Sequence, residues 1–230
     1  MSEASSSFFW VNKLVEIEFP YTLKVDNWET PATKYPLARV GSAEISRVRY
    51  NRNYYRMEAV CGYMFFQVTK PIHVTNLKIN GQVWMVDDPL HWYGMQELAK
   101  HSKGKVLVGG LGLGLIIHAL QKNPKVSRID VLEINQDVID LVKPLLFGLN
   151  KAHVHKGNVF HCAHGEYDTV ILDLWVGKGT PKVGYEMLGA FATFKARFPK
   201  ANVFIWGHGS SSLNPAVDDK LRKQIPKEYY

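Results

Sequence analysis

An apolar run that ends in closely spaced glycines is the feature that most restricts the fold of this chain. Residues 106–108 are all apolar, which is typical of a strand buried on both faces of a parallel sheet. An apolar stripe at helical spacing follows over residues 115–120. A strand, a glycine turn and a helix in this order predict a nucleotide pocket at the carboxyl edge of a sheet. The turn contains Gly109, Gly110, Gly112 and Gly114.

A carboxylate at the end of the next predicted strand indicates which part of a nucleotide the pocket would hold. Glu133 lies about 20 residues beyond Gly114, the separation expected between a glycine turn and an acid that binds ribose. Its oxygens can accept hydrogen bonds from both ribose hydroxyls. The alternatives are a solvated acid at a strand end and a tight turn without a ligand.

Two other nucleotide sites are excluded by the spacing. A dinucleotide fingerprint needs a third glycine at position 115, which is Leu115, and no lysine follows the turn as a phosphate-binding loop requires. The remaining form, G-x-G-x-G, resembles motif I of class I S-adenosylmethionine-dependent transferases.

The order of the segments predicts the architecture. Residues before 89 are rich in strand patterns, and Asn80-Gly81 predicts a hairpin turn. From residue 105 onward, strand and helix patterns alternate. We therefore predict an α/β protein with a Rossmann-like, doubly wound, mainly parallel sheet over 90–230. A small β-rich N-terminal domain is predicted over 1–89, with residues 1–7 as a loose tail.

The order of motifs resembles the spermidine synthase group of the class I transferase superfamily, from about Ile79 to Trp206. The resemblance implies S-adenosylmethionine or its decarboxylated form as cofactor and a catalytic aspartate at the end of the fourth strand, here Asp173. The matching stretches are Ile79-Asn80-Gly81, Asp87-Asp88, Tyr93, residues 106–114, residues 130–133, residues 156–159 and residues 167–173.

Two departures from that group weaken the case for a polyamine substrate. Its aminopropyl-transferring members follow the aspartate with a short acidic loop, whereas this chain has Leu174, Trp175 and, further on, Lys178. Like charges in a dry pocket cost several kcal/mol. The hairpin also carries Trp84 and Met85 near the place where the group usually has a polar glutamine.

Cofactor contacts are expected from the turn and from three strand ends. Asn158 could meet the adenine edge with its amide, or it could simply stabilise a turn. The predicted cofactor-binding residues are Gly109, Gly110, Gly112, Gly114, Glu133, Ile134, Asn158 and Asp173.

Asp173 is the predicted catalytic residue, because a carboxylate at this edge can take a proton from a nucleophile or orient it. A helix-capping role is the alternative. Trp175 could wall the acceptor pocket or belong to the core, and Asp87-Asp88-Pro89 could simply cap a helix. The predicted acceptor pocket contains Trp84, Asp87, Asp88, His91, Tyr93, Leu174, Trp175 and Tyr185.

Charge and composition bear on partners and location. The formal net charge is +7, and Arg47, Arg49, Arg52 and Arg56 alternate with tyrosines, so nucleic acid is possible although solubility explains the charge better. Histidines near residues 153–164 match no strong zinc spacing, so no metal is predicted. The two cysteines read as free thiols, and no segment has the length of a signal or a membrane span. We therefore expect a cytoplasmic protein, and we expect it to form a homo-oligomer.

Three functions follow, in this order. The first is methyl transfer from S-adenosylmethionine to an unknown small or phosphorylated acceptor. The second is aminopropyl transfer to a polyamine from the decarboxylated cofactor. The third is a non-catalytic scaffold that binds nucleic acid or assembles, since the short stretch after Trp206 predicts a shortened closing hairpin and an open sheet edge.

Overall fold

The computed structural model describes residues 24–25, 29–59, 62–176 and 181–206. The predicted tail 1–7, Cys61 and Lys178 lie outside these residues, as do the side chains of Tyr54, Tyr55 and Arg56. Predictions about these groups stay predictions.

A five-stranded, fully parallel sheet forms the second part of the chain. Counted within this sheet, the strands lie in the order 3-2-1-4-5, so the direction of winding reverses between the first and fourth strands. This order confirms the predicted Rossmann-like, doubly wound fold. Its strands are β8 (Gly104–Gly109), β9 (Val126–Glu133), β10 (Ala152–Lys156), β11 (Thr169–Leu172) and β12 (Asn202–Ile205).

Five helices accompany this sheet in the described part of the chain. The helix α1 begins after Asp88, whose side chain caps it, and Pro89 occupies a first-turn position that needs no backbone donor. Asn135 caps α3 in the same way, as its side chain predicts. The helices are α1 (Pro89–His101), α2 (Leu115–Gln121), α3 (Gln136–Val142), α4 (Val159–Cys162) and α5 (Pro181–Arg197).

Two sheets built mainly from antiparallel pairs precede the parallel sheet in the chain. The four-stranded sheet has the order β2-β3-β6-β7, and the smaller sheet has the order β1-β5-β4, in which β1 pairs parallel to β5. Asn80 and Gly81 both have positive φ between β6 and β7, which confirms the predicted hairpin turn. The strands are β1 (Lys24–Val25), β2 (Ala38–Val40), β3 (Ala43–Tyr50), β4 (Asn53–Ala59), β5 (Gly62–Val68), β6 (Ile72–Ile79) and β7 (Gln82–Val86).

The arginine-rich strands β3 and β4 belong to different sheets and do not pair with each other. Arg47 on β3 donates to the backbone carbonyls of Thr33 and Tyr35, at 2.5 and 2.9 Å. This guanidinium therefore fastens the loop that precedes β2, which is a structural use of one member of the predicted basic stretch.

One hydrophobic core joins the four-stranded sheet to the parallel sheet. Ile45, Leu77 and Met85 from the former lie in the same buried cluster as Val108 from the latter and Ile117 from the helix α2 that covers it. A second cluster lies on the opposite face, where α5 packs with Phe194 against strands β8, β11 and β12. Among the described residues, no helix has the length and apolarity that crossing a bilayer requires.

Candidate cofactor and acceptor site

The glycine turn needs glycine for two physical reasons. Gly110, Gly112 and Gly114 all have positive φ, at 91°, 51° and 72°. A Cβ on each would also lie within 3 Å of another part of the protein: 2.3 Å from the Asp173 carbonyl oxygen, 2.4 Å from Met85 Sδ and 2.7 Å from Leu146 Cδ2. The glycine spacing predicts a ligand in this space. The protein's own atoms fill it instead, so a ligand contact would be made through the turn's other face.

Glu133 ties the turn to the adjacent strand. Its Oε2 accepts the Leu111 N–H at 2.8 Å, and its Oε1 accepts the Asn135 N–H at 2.8 Å. The side chain is buried at the carboxyl end of β9. A carboxylate oxygen has two lone pairs, so each oxygen keeps capacity for a hydroxyl donor. The arrangement fixes the carboxylate beside the turn where the ribose was predicted.

Ile134 and Asn158 flank this carboxylate. Ile134 is 66% exposed, which is unusual for so apolar a side chain directly after a buried strand end. Asn158 follows β10, and its Oδ1 accepts the Phe160 N–H at 2.9 Å as the cap of α4. The oxygen of Asn158 thus has the turn-stabilising role that was its alternative explanation.

Asp173 lies directly after β11, next to the turn. Its backbone N–H donates to the Gly109 carbonyl at 3.0 Å, which fixes it beside β8. Burial and, to a smaller extent, the negative charge of Glu133 together raise the pKa of its half-buried carboxyl to about 7. Two carboxyl groups therefore share the edge where the sheet's winding reverses. The Asp173 carboxyl can therefore take up or release a proton near neutral pH, and the negative charge at this edge attracts a cationic ligand.

Asp87 and Asp88 have structural partners. The buried Asp87 carboxylate accepts the Thr30 hydroxyl and the Thr75 N–H, both at 2.5 Å, and burial raises its pKa. Asp88 Oδ1 accepts the His91 N–H at 2.9 Å and caps α1. These contacts favour a bracing role for Asp87 and a capping role for Asp88. The role of both residues in an acceptor pocket stays a prediction.

The other predicted acceptor residues divide by exposure. Leu174 and Trp175 are half-buried and pack against the cluster beneath α5, and Tyr93 packs against the main core. Trp84 is 44% exposed and Tyr185 is 75% exposed, so both are surface residues. His91 is half-buried as well, with its ring 4.8 Å from that of Trp206.

Three residues that support the turn are not among the predicted site residues. Met85 Sδ accepts the Leu113 N–H at 3.1 Å. The Tyr35 hydroxyl donates to the Leu113 carbonyl at 3.1 Å and lies 2.9 Å from His118 Nε2. These contacts join segments far apart in sequence, and no spacing rule connects them. Through the Met85 contact, the four-stranded sheet supports the glycine turn.

The histidine-rich stretch after β9 gives no metal site in the part of the chain that the structure describes. No group of three histidine, cysteine or acidic side chains there is arranged to hold an ion. Two histidines at alternate positions, His153 and His155, are exposed on the edge strand β10.

Comparisons with known proteins give distant structural likenesses. No family model and no curated protein matches the chain. A dimethyladenosine transferase from Plasmodium falciparum is 20% identical over 46% of this chain and 37% of its own, with a TM-score of 0.35. The YcgJ protein from Bacillus subtilis is 14% identical over 36% and 37%, with a TM-score of 0.31.

A spermidine synthase from Thermotoga maritima is 15% identical over 76% of this chain and 69% of its own, with a TM-score of 0.44. The chain spans little more than a third of the length of each of the first two structures. The fold is assigned from the chain's own strand order, and the site from its own geometry.

Proposed function

We propose that this chain is an S-adenosylmethionine-binding transferase, and specifically a methyltransferase acting on a small or phosphorylated acceptor. The observation that carries the proposal is the position of Glu133, held by the Leu111 N–H at the mouth of the glycine turn. Glu133 would accept the ribose hydroxyls, and the exposed Ile134 would lie under the adenine ring. Both features fit an adenosyl group.

The electrostatics of the edge fit the rest of such a cofactor. When bound, it supplies a sulfonium centre whose carbon is open to in-line attack. The carboxylates of Glu133 and Asp173 create a negative potential that favours a cationic centre over a triphosphate. A pocket of this sign, next to a turn without a phosphate-binding lysine, supports an adenosyl sulfonium.

Asp173 has the proton-accepting role in this proposal. The acceptor's N–H or O–H gives its proton to the carboxylate while the lone pair forms the new bond to carbon. The electrons of the broken C–S bond remain on sulfur. A carboxyl group with a pKa near 7 is suited to this step, because it is both ionised and basic at neutral pH.

Aminopropyl transfer is the second candidate. The same pair of carboxylates would attract a polycationic acceptor, and this favours a polyamine. Trp175 follows Asp173 closely, where the polyamine-binding members of the resembled group have acids.

Calorimetry tests the cofactor. We expect binding of S-adenosylmethionine and of its demethylated product, and about 10- to 100-fold weaker binding by Glu133→Gln, because charge-assisted hydrogen bonds contribute about 1.5–3 kcal/mol. Asp140→Asn is the matched control, since it removes one exposed charge from the neighbouring helix α3. Binding of the decarboxylated form alone would favour aminopropyl transfer. Binding of none of the three would refute both transferase proposals and leave the scaffold.

A further inference from the structure

His91 is a buried polar group without a hydrogen-bond partner. Both ring nitrogens are shielded from solvent, and neither has a partner among the described residues. Burial lowers the pKa of the ring to about 4, so it is neutral at pH 7, with one nitrogen as donor and the other as acceptor. Leaving such groups unpaired is costly, and each case in a folded protein calls for an explanation.

The ring is held in place from two sides. The backbone N–H of His91 is fixed by the Asp88 cap at 2.9 Å, and the imidazole lies against the indole of Trp206. Its orientation therefore does not depend on a hydrogen bond to the ring. A fixed ring with unused nitrogens is suited to hydrogen-bonding a group that arrives from outside.

His118 shows what a satisfied histidine looks like in this protein. Burial lowers its pKa to about 4 as well, and its Nε2 lies 2.9 Å from the Tyr35 hydroxyl. The two imidazoles therefore share burial and a neutral state, and they differ in having a partner. His118 is thus a matched comparison for His91.

His91 packs against the edge of the sheet that carries Asp173. Its ring partner Trp206 follows β12 and donates its backbone N–H to the Leu172 carbonyl at 2.9 Å, and Asp173 is the residue after Leu172. Trp206 and Asp173 thus follow two adjacent strands at the same edge. Glu133 and Asp173 make this region unfavourable for an anion.

We propose that His91 is a positioning residue that hydrogen-bonds the N–H or O–H of an amine or alcohol acceptor, holding it beside Asp173. This inference rests on the proposed transferase function. It narrows the acceptor to protic nucleophiles, because the unprotonated ring nitrogen needs an N–H or O–H donor, and the negative charge of Glu133 and Asp173 disfavours a carboxylate or phosphate of the acceptor there.

Stability measurements test whether the nitrogens are unused in the free protein. We expect His91→Phe, which keeps an aromatic ring against Trp206, to unfold at the same or a higher urea concentration than the parent. His118→Phe, which removes a used nitrogen, should unfold at a lower one. A loss for His91→Phe as large as for His118→Phe would show that His91 already has a partner and would overturn the proposal.

Ring-nitrogen NMR tests the acceptor. The probes are putrescine, 1,4-butanediol and succinate, which share a four-carbon length and differ in their end groups, added to protein saturated with S-adenosylmethionine. His91→Gln identifies the His91 signals. We expect putrescine or butanediol to shift them and succinate to leave them unchanged. No shift with either protic probe, or a shift with succinate alone, would overturn the proposal. Failure of S-adenosylmethionine itself to bind would instead refute the transferase function.

Discussion

Asp173 carries a charge that opposes folding above neutral pH. A carboxyl whose pKa is raised in the folded state stabilises the fold relatively more when protonated, and this advantage is lost as the pH rises from about 4 through about 7. A group with such a pKa next to a second carboxylate is typical of a functional position.

Replacing Asp173 with Asn separates the effect of its charge on the stability of the fold from its role in the reaction. We expect Asp173→Asn to be about 2 kcal/mol more stable than the parent at pH 8, after allowance for solvent screening of a half-buried group, and equally stable near pH 4. Turnover should fall at least about 100-fold, as for loss of a general base. Urea unfolding at the two pH values and a transfer assay check this. Unchanged turnover at unchanged cofactor affinity would remove Asp173 from the mechanism.

Single residues differ in how far they could be predicted. Glu133 follows from its spacing after the glycine turn, and Asp173 from the family resemblance together with its position at a strand end. Met85 could not be found in this way, since its contact with Leu113 joins the four-stranded sheet to the glycine turn. For Asp88 the capping alternative is correct, whereas Asp87 braces Thr30 and Thr75 instead.

At the scale of elements, the turn between β8 and α2 depends on the β6–β7 hairpin. The hairpin brings Met85 to the turn, where its sulfur lies in the space that a side chain on Gly112 would need. The thioether contact and the positive φ act together at this one glycine. Elements that are separate in the sequence pattern thus form one unit around the cofactor site.

Gly112→Ala tests this unit. We expect the free energy of unfolding to fall by about 2–5 kcal/mol. Left-handed backbone costs roughly 1–2 kcal/mol for alanine, and overpacking adds about 1–3 kcal/mol. Gly148→Ala is the matched control: its φ is also positive, at 83°, but nothing lies within 4 Å of the added carbon. The double variant Gly112→Ala/Met85→Ala should lose less free energy of unfolding, measured with urea, than the sum of the losses in the two single variants. Full additivity would show that the contact does not limit the turn.

The elements themselves were largely predictable. The hairpin at Asn80-Gly81 and the alternation after residue 105 have strong local signals, and the structure has both. The separation of β3 and β4 into different sheets was not predictable, because the same strand pattern suits a hairpin and a crossing between sheets.

For the molecule as a whole, the continuous core makes the two parts of the chain depend on each other. Side chains such as Ile45 and Leu77 share a buried cluster with Val108 and Ile117. A polar contact supports the same junction: Asp137 Oδ2 accepts the N–H and the hydroxyl of Ser42, at 2.8 and 2.7 Å. The predicted boundary near residue 89 therefore separates two patterns that share one interior.

A fragment covering residues 90–230 tests this dependence. We expect it to lack a cooperative unfolding transition, because it would expose the apolar surface that the four-stranded sheet covers, at about 25 cal/mol per Å². The full chain should unfold in one transition by near- and far-ultraviolet circular dichroism. A fragment that folds cooperatively and binds S-adenosylmethionine would show that the parallel sheet is self-sufficient.

The contacts of the glycine turn also set its place in the order of folding. Tyr35, Met85 and Leu146 reach it from well before and well after its own position in the chain. Contacts between residues far apart in the chain form slowly, because the entropy of closing a long loop is lost before the contact contributes any stability. We therefore expect the turn to acquire its final shape late, after the hairpin has docked and residue 146 has been synthesised. A nascent chain would then gain affinity for the proposed adenosyl ligand only once the parts around the turn had assembled.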